Sequence, residues 1–153
     1  MIKEKNMVEK SIQRLQYLCD TIPTILANIS EEDFINKPNP NKWSKKEVLG
    51  HLIDSATNNH QRFIRTQFEI VPTIFYDQNS WNRYSNYNEM DTKHLISFWT
   101  SYNKHLIEII KGINEENYKK ECIIGKEKNV DLKWLIEDYV RHLEHHLKQI
   151  TEY

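Results

Sequence analysis

The chain has 153 residues, and its 21 lysines and arginines nearly balance 22 aspartates and glutamates, which leaves a net charge of −1. This balance argues against a nucleic-acid or acidic-membrane partner, and no stretch approaches the roughly 18 apolar residues of a membrane-spanning helix. Three glycines and four prolines are too few for a β-protein with many tight turns, so we expect a single all-α domain over residues 1–153.

The cellular compartment is predicted from the first residues and from the cysteines. The first ten residues, MIKEKNMVEK, are charged and lack the apolar run of a secretory signal. Cys19 and Cys122 are far apart in sequence, and we interpret them as reduced core residues rather than as a disulfide. We therefore expect a cytoplasmic protein.

Four helices are predicted from apolar residues at helical spacing. Ser44 and Glu47 have the spacing of a capping box, which places the start of the second helix at Ser44. Asp91 is a candidate N-cap for the third helix. The predicted ranges are about 4–28, 44–68, 91–111 and 131–153.

The connection between the second and third helices, residues 69–90, is unusually long. Fully extended, it could reach roughly 70 Å, whereas a helix of about 25 residues is only about 37 Å long. The second and third helices can therefore be parallel, which predicts an up-down-down-up four-helix bundle. Four residues of the connection could either wall a pocket or form a plain lid over the core: Tyr76, Asp77, Trp81 and Tyr84.

Three histidines lie close together in the fourth predicted helix, within RHLEHHLKQI at residues 141–150. On a helical projection His146 falls inside the apolar face, His142 at its edge and His145 beside it. Residues four apart on a helix bring their imidazoles to one point, as metal sites with two histidines require. Two ligands do not complete a site, and an inward histidine is more often a hydrogen-bonded core residue.

A third candidate ligand, His51, comes from the second predicted helix. It shares one ridge with Arg62, whereas His60 points to the opposite side. His51 lies seven residues from the start of its helix, and His142 and His146 lie about ten and six residues from the end of theirs. If the two helices are antiparallel, the three histidines lie at one level, so the predicted bundle and the predicted metal site support each other.

Two segments, KWSKKEVLGHLIDS (42–55) and RHLEHHLKQI (141–150), resemble the DinB/YfiT-like family of metal-binding four-helix bundles. The family pattern begins a helix with Trp-Ser and places a histidine seven residues after the serine, here Trp43, Ser44 and His51. It ends with H-x-x-H-H-x-x-Q-I, which is also present here. The resemblance spans most of the chain.

The resemblance implies a divalent metal, zinc or nickel, held by His51, His142 and His146. It also implies the up-down-down-up topology and a homodimer. Some members of the family are transferases or isomerases that act through low-molecular-weight thiols such as bacillithiol or mycothiol. Many others are described as metal-dependent hydrolases without a demonstrated substrate.

Three neutral imidazoles leave one position open on a metal, where either water or a low-molecular-weight thiol could be activated. The same three ligands are compatible with a hydrolase and with an S-transferase, so the sequence does not distinguish the two. A non-catalytic binding or stress-related protein with a structural or empty site is the alternative. Asp54, Asp138 and Gln149 are candidate partners that would orient the imidazoles. Arg62 either meets an anionic group of a small-molecule substrate or forms a salt bridge with a neighbouring acid.

Overall fold

The computed structural model describes residues 2–153 of the chain, with side chains from Asn6 onward. Four long helices dominate it, and each boundary lies within three residues of its predicted position. Two short α-helices, two 3₁₀ helices (Tyr87–Glu89 and Glu115–Lys119) and one hairpin are additional within the described residues. The helices are α1 (Ile2–Ala27), α2 (Glu31–Ile35), α3 (Lys45–Arg65), α4 (Gln78–Ser85), α5 (Thr92–Lys111) and α6 (Leu132–Ile150), and the strands are β1 (Glu121–Ile124) and β2 (Lys128–Asp131).

Side-chain caps define where three of the long helices begin. Ser44 Oγ accepts a hydrogen bond from the Glu47 N–H at 3.1 Å, and the Glu47 carboxylate accepts one from the Ser44 N–H at 2.7 Å. This is the predicted capping box. Asp91 and Asp131 cap α5 and α6 by accepting from backbone N–H groups of the first turn. Each cap stabilises its helix by about 1 kcal/mol, and the cap at Ser44 sets the position of His51 along α3.

Contacts between the long helices give their order and direction. Both α1 and α3 pack against α5 and α6. His51 near the start of α3 contacts His146 near the end of α6, so these helices are antiparallel. His60 and His105 meet near the ends of α3 and α5, so these helices are parallel. An ion pair joins α1 to α6. The result is the up-down-down-up four-helix bundle that the sequence predicts.

The connection at residues 69–90 is largely structured. Within it, α4 begins after Asp77, whose carboxylate accepts from two backbone N–H groups of the first turn. Asn82 of α4 donates to the Glu47 carbonyl oxygen at 2.7 Å, which ties α4 to α3. The sequence did not predict this helix because eight residues are too few to show a clear apolar period.

A two-stranded antiparallel hairpin, β1 and β2, precedes α6 and is a small addition to the predicted all-helical fold. Its turn uses the left-handed region at Gly125 (φ 57°) and Glu127 (φ 65°). Ile74 of the connection donates to the Ile123 carbonyl oxygen at 2.9 Å, so the hairpin holds the connection in place. Strands of four residues cannot be told from loops by alternation of apolar residues alone.

The core lies between the four long helices. Leu18, Phe63, Trp99 and Leu143, one from each helix, are fully buried. Burying a side chain of this kind stabilises the fold by about 1.5–3 kcal/mol. Both cysteines are buried and free, as predicted. Across residues 2–153, the structure contains no helix with the length and apolar character needed to cross a membrane.

Candidate metal centre

Three histidine side chains from α3 and α6 meet at one point. His51 Nε2 lies 3.4 Å from His142 Nε2. The ring centroid of His146 lies 4.6 Å from that of His51 and 4.5 Å from that of His142. One ligand atom from each residue lies within 4.8 Å of the other two. The antiparallel course of α3 and α6 therefore brings the three predicted residues to one level.

The spacing of this three-histidine cluster fits a divalent metal. Imidazole nitrogens bound to one zinc at about 2.0–2.1 Å in tetrahedral geometry lie about 3.4 Å apart. The separation of His51 and His142 matches this value, and it also suits an N–H···N hydrogen bond. Within the described residues, no other group of three histidine, cysteine or acidic side chains has this spacing. An all-imidazole set suits a transition metal such as zinc, nickel, copper or iron rather than calcium or magnesium.

The three imidazoles are neutral near pH 7. Burial, together with smaller effects of the neighbouring His146 and His142, lowers the pKa of His51 from 6.5 to about 3. Burial also lowers the pKa of His142 to about 4, although Asp138 acts against this. Burial lowers the pKa of His146, with Gln149 opposing. Because a neutral imidazole has a free lone pair, each residue is ready to bind a metal without losing a proton.

Gln149 forms a hydrogen bond with His146 of the cluster, as predicted. Its Oε1 lies 3.2 Å from Nδ1 of His146, so that Nδ1 can donate while Nε2 keeps its lone pair. The Nε2 of Gln149 lies 3.3 Å from Nε2 of His145, which is exposed. His145 is outside the three-histidine cluster.

Asp54 and Asp138, the other two predicted partners, have hydrogen bonds elsewhere. The Tyr87 hydroxyl donates to Asp54 Oδ1 at 2.5 Å, and Arg141 donates to Asp138 Oδ1 at 2.6 Å. Burial raises the pKa of Asp54 to about 6, and the bond from Tyr87 acts against this. The sequence could not predict the Asp54 contact, because Tyr87 reaches α3 only through the folding of the connection.

Trp43 covers one side of the cluster, a role that the sequence did not predict. Its ring centroid lies 4.9 Å from that of His51. A cleft of about 750 Å³ opens here, lined by Trp43, Gln149 and residues from the loop after α2 and from α4. Trp43 and Gln149 both contact the cluster, so the cleft lies next to it, although none of the three histidines lines the cleft. Its size is typical of small-molecule sites. In the sequence, the Trp-Ser motif at residues 43–44 was the feature from which this contact could have been predicted.

The connection residues divide between the interior and the solvent. Tyr76 is partly buried, and its ring contacts that of Trp81 at a centroid distance of 5.3 Å. Asp77 caps α4, and Tyr84 is 76 % exposed. Of the four residues expected to wall a pocket or cover the core, Asp77 lines a cleft of about 680 Å³ together with Trp43, whereas Tyr84 lies largely in solvent.

Arg62 lies on α3 without the salt bridge that was one of its two predicted roles. Its Nη1 donates to Asn59 Oδ1 at 3.4 Å and its Nη2 to the Ile74 carbonyl oxygen at 3.2 Å. None of the ion pairs among the side chains from Asn6 onward includes Arg62. The salt-bridge prediction is therefore wrong.

Known proteins share this fold. YfiT of Bacillus subtilis (strain 168), which carries the name of a metal-dependent hydrolase, is 24% identical over 112 residues, 72% of this chain and 63% of YfiT. The chain thus spans less than two thirds of that relative's length. The solved structure of YfiT, described as an unusual four-helix bundle topology, matches with a TM-score of 0.85 at 19% identity, over 94% of this chain and 83% of that one.

Two solved structures of a mycothiol-dependent maleylpyruvate isomerase, one of them a point mutant, also share the fold. Their TM-scores are 0.74 and 0.78 at 10% and 9% identity, over 92% and 95% of this chain and 59% and 61% of theirs. The family model of the DinB superfamily matches residues 11–150, a range that contains all four long helices except the first turns of α1. The chain belongs to the DinB superfamily.

Proposed function

We propose that this protein is a metal-dependent enzyme that acts on small molecules, and that His51, His142 and His146 hold one divalent metal, zinc or nickel. The observation that carries the proposal is the convergence of three neutral imidazoles, with ligand atoms within 4.8 Å of one another, beside an open cleft. The name of YfiT as a metal-dependent hydrolase supports it.

The residues of the chain have distinct roles in this proposal. The three histidines provide the ligands, and Gln149 keeps His146 in the tautomer that leaves Nε2 free. Trp43 packs against His51 and lines the cleft beside the cluster. A bound divalent metal would supply Lewis-acid activation of water or of a thiol near neutral pH.

Two reactions remain candidates, each favoured by one comparison. Hydrolysis is favoured by the name of YfiT, and transfer through a low-molecular-weight thiol is favoured by the shared fold of a mycothiol-dependent isomerase. We would screen the metal-loaded protein against activated esters and against electrophiles with a thiol cosubstrate. Turnover in one assay selects that reaction, and turnover in neither favours a non-catalytic binding protein.

We also propose that the protein is a homodimer, as its family resemblance implies, and that it is cytoplasmic, because both cysteines are buried and free. Sedimentation equilibrium tests the assembly, since a dimer has twice the monomer mass of 18.5 kDa. A mass of 18.5 kDa at micromolar concentrations would contradict the homodimer.

The metal site is tested by elemental analysis of protein purified without a nickel column. We expect about one zinc or nickel per chain, and a large loss in His51→Ala and His146→Ala because two imidazoles do not complete a site. His94→Ala, which removes an exposed histidine from α5, is the control and should keep its metal. Wild-type protein without metal, even after zinc or nickel is added, would refute the proposal. Activity that survives His146→Ala would show that the assigned site is wrong.

A further inference from the structure

Arg62 is a partly buried cation that lacks an anionic partner among the described residues. Its two hydrogen bonds go to neutral oxygens of Asn59 and Ile74, and its Nε is buried without a partner. Burial lowers its pKa, but a guanidinium stays charged at any physiological pH. Buried arginines are normally paired, because an uncompensated charge destabilises the fold. An external anion would complete this site.

Arg62 lies at the edge of the interface between α3 and α6, the same interface that contains the three-histidine cluster. It follows His51 by eleven residues, which places both within about 20° on the helix. Burial lowers the pKa of His142 to about 4, and the charge of Arg62 contributes to this lowering. The negative charge of Asp138 favours the charged form of Arg62. The Asp138 carboxylate, however, is already paired with Arg141 at 2.6 Å.

Two hydroxyl groups are close to the hydrogen-bond partners of this guanidinium: Asn59 donates to Ser55 Oγ at 3.3 Å, and Tyr76 follows Ile74 by two residues. Burial raises the pKa of Tyr76 to about 12, with Arg62 acting against this, so the Tyr76 hydroxyl is a hydrogen-bond donor at neutral pH. The buried Ser55 of α3 interacts with that hydroxyl. The negative charge of Asp54 contributes to the raised pKa of Tyr76. Oδ1 of Asp54 already accepts a hydrogen bond from the Tyr87 hydroxyl. Arg62, Tyr76 and Ser55 therefore offer a cation and two hydroxyl donors, and the charge of Arg62 acts on His142 of the cluster.

We propose that Arg62, together with Tyr76 and Ser55, binds a carboxylate or phosphate group of the substrate while the reacting atom lies at the three-histidine cluster. This inference rests on the proposed function and narrows it to anionic small molecules. Arginine suits the role because its planar donors match both anions. Charged hydrogen bonds of this kind favour an anionic ligand over a neutral analogue by about 10-fold to 100-fold.

The inference is tested with cobalt-loaded protein and thiols as probes. ω-Mercaptoalkanoates of increasing chain length are compared with ω-mercaptoalkanols of the same lengths, and binding is followed by the visible absorption of cobalt. In wild-type protein we expect the mercaptoalkanoate to bind at least about 10-fold more tightly than the mercaptoalkanol of the same length, for one or more chain lengths. Arg62→Gln should abolish this preference and leave the affinity for the alcohols unchanged, and Tyr76→Phe should reduce the preference several-fold. Arg65→Gln, an arginine paired with Glu69 on the same helix, should keep it.

Three outcomes would overturn the inference or the proposed function separately. Alcohols and carboxylates that bind equally to wild-type protein, or a preference that survives Arg62→Gln, overturn the anion site alone. Protein that binds no cobalt, zinc or nickel overturns the proposed function. In that case the anion site is judged on metal-free protein, from the NMR signal of the buried Arg62 Nε–H during titration with inorganic phosphate. A signal that does not shift overturns the anion site as well.

Discussion

Replacing Gly50 with alanine is expected to destabilise the protein, because Tyr87 occupies the space where the new Cβ would lie. An ideal Cβ at Gly50 is 2.1, 2.2 and 2.5 Å from three atoms of the Tyr87 ring. Tyr87 is buried, and its hydroxyl donates to Asp54 at 2.5 Å. The ring is therefore held between α3 and its hydrogen bond, and it cannot move aside without losing that bond.

The size of the Gly50→Ala effect follows from three contributions. Overpacking of a buried site costs about 1–3 kcal/mol, and losing the hydrogen bond to the Asp54 carboxyl group costs about 1.5–3 kcal/mol. Alanine is a better helix former than glycine, which offsets about 1 kcal/mol. We expect a net decrease of about 2–5 kcal/mol in the free energy of unfolding.

Urea denaturation of the metal-free protein measures this decrease. Gly112→Ala is the matched control, because its Cβ would meet no atom closer than 3.4 Å, and we expect a change within about 0.5 kcal/mol. In a Tyr87→Ala background, where the ring is absent, Gly50→Ala should instead stabilise by up to about 1 kcal/mol. A neutral or stabilising Gly50→Ala in the wild-type background would refute the reasoning.

Three further predictions concern the three-histidine cluster and the buried Asp54 of α3. The metal-free protein should lose stability as the pH falls from 6.5 towards 3, because the pKa of His51 is about 3 in the folded state against 6.5 for the free side chain. This difference in pKa corresponds to a loss of up to about 5 kcal/mol in the free energy of unfolding. In urea denaturation, the unfolding free energy of His51→Gln should depend less on pH than that of the wild-type protein. Burial raises the pKa of Asp54 from 3.8 to about 6, so its contribution is lost as the pH rises through this range, and Asp54→Asn should make the rise in stability from pH 4 to 6 steeper. A wild-type stability that is flat between pH 7 and 4 would contradict the assignment to His51. Gln149→Ala should weaken zinc binding about tenfold or more in a chelator competition, whereas Gln13→Ala, on an exposed position of α1, should not. Equal zinc affinities for the two variants would argue against the role of Gln149.

The long helices and the cluster could be predicted because their signals are local and repeated. Apolar residues recur at helical spacing in each long helix, and Ser44 has Glu47 three residues later as its capping partner. The two histidines of α6 are one turn apart, so one helix brings them together. His51 required one further assumption, the antiparallel course of α3 and α6, and the length of the connection supplied it.

The four long helices, two inward-facing histidines and the level of the third could all be predicted from the order of the amino acids. Three contacts could be learned only from the folded chain: Tyr87 rather than a histidine donates to Asp54, Trp43 covers His51, and Arg62 has no acidic partner among the described residues. The difference lies in how far apart in the chain the interacting residues are. Helix periodicity and capping act between residues a few positions apart, whereas these contacts join segments that meet only when the connection folds against the bundle.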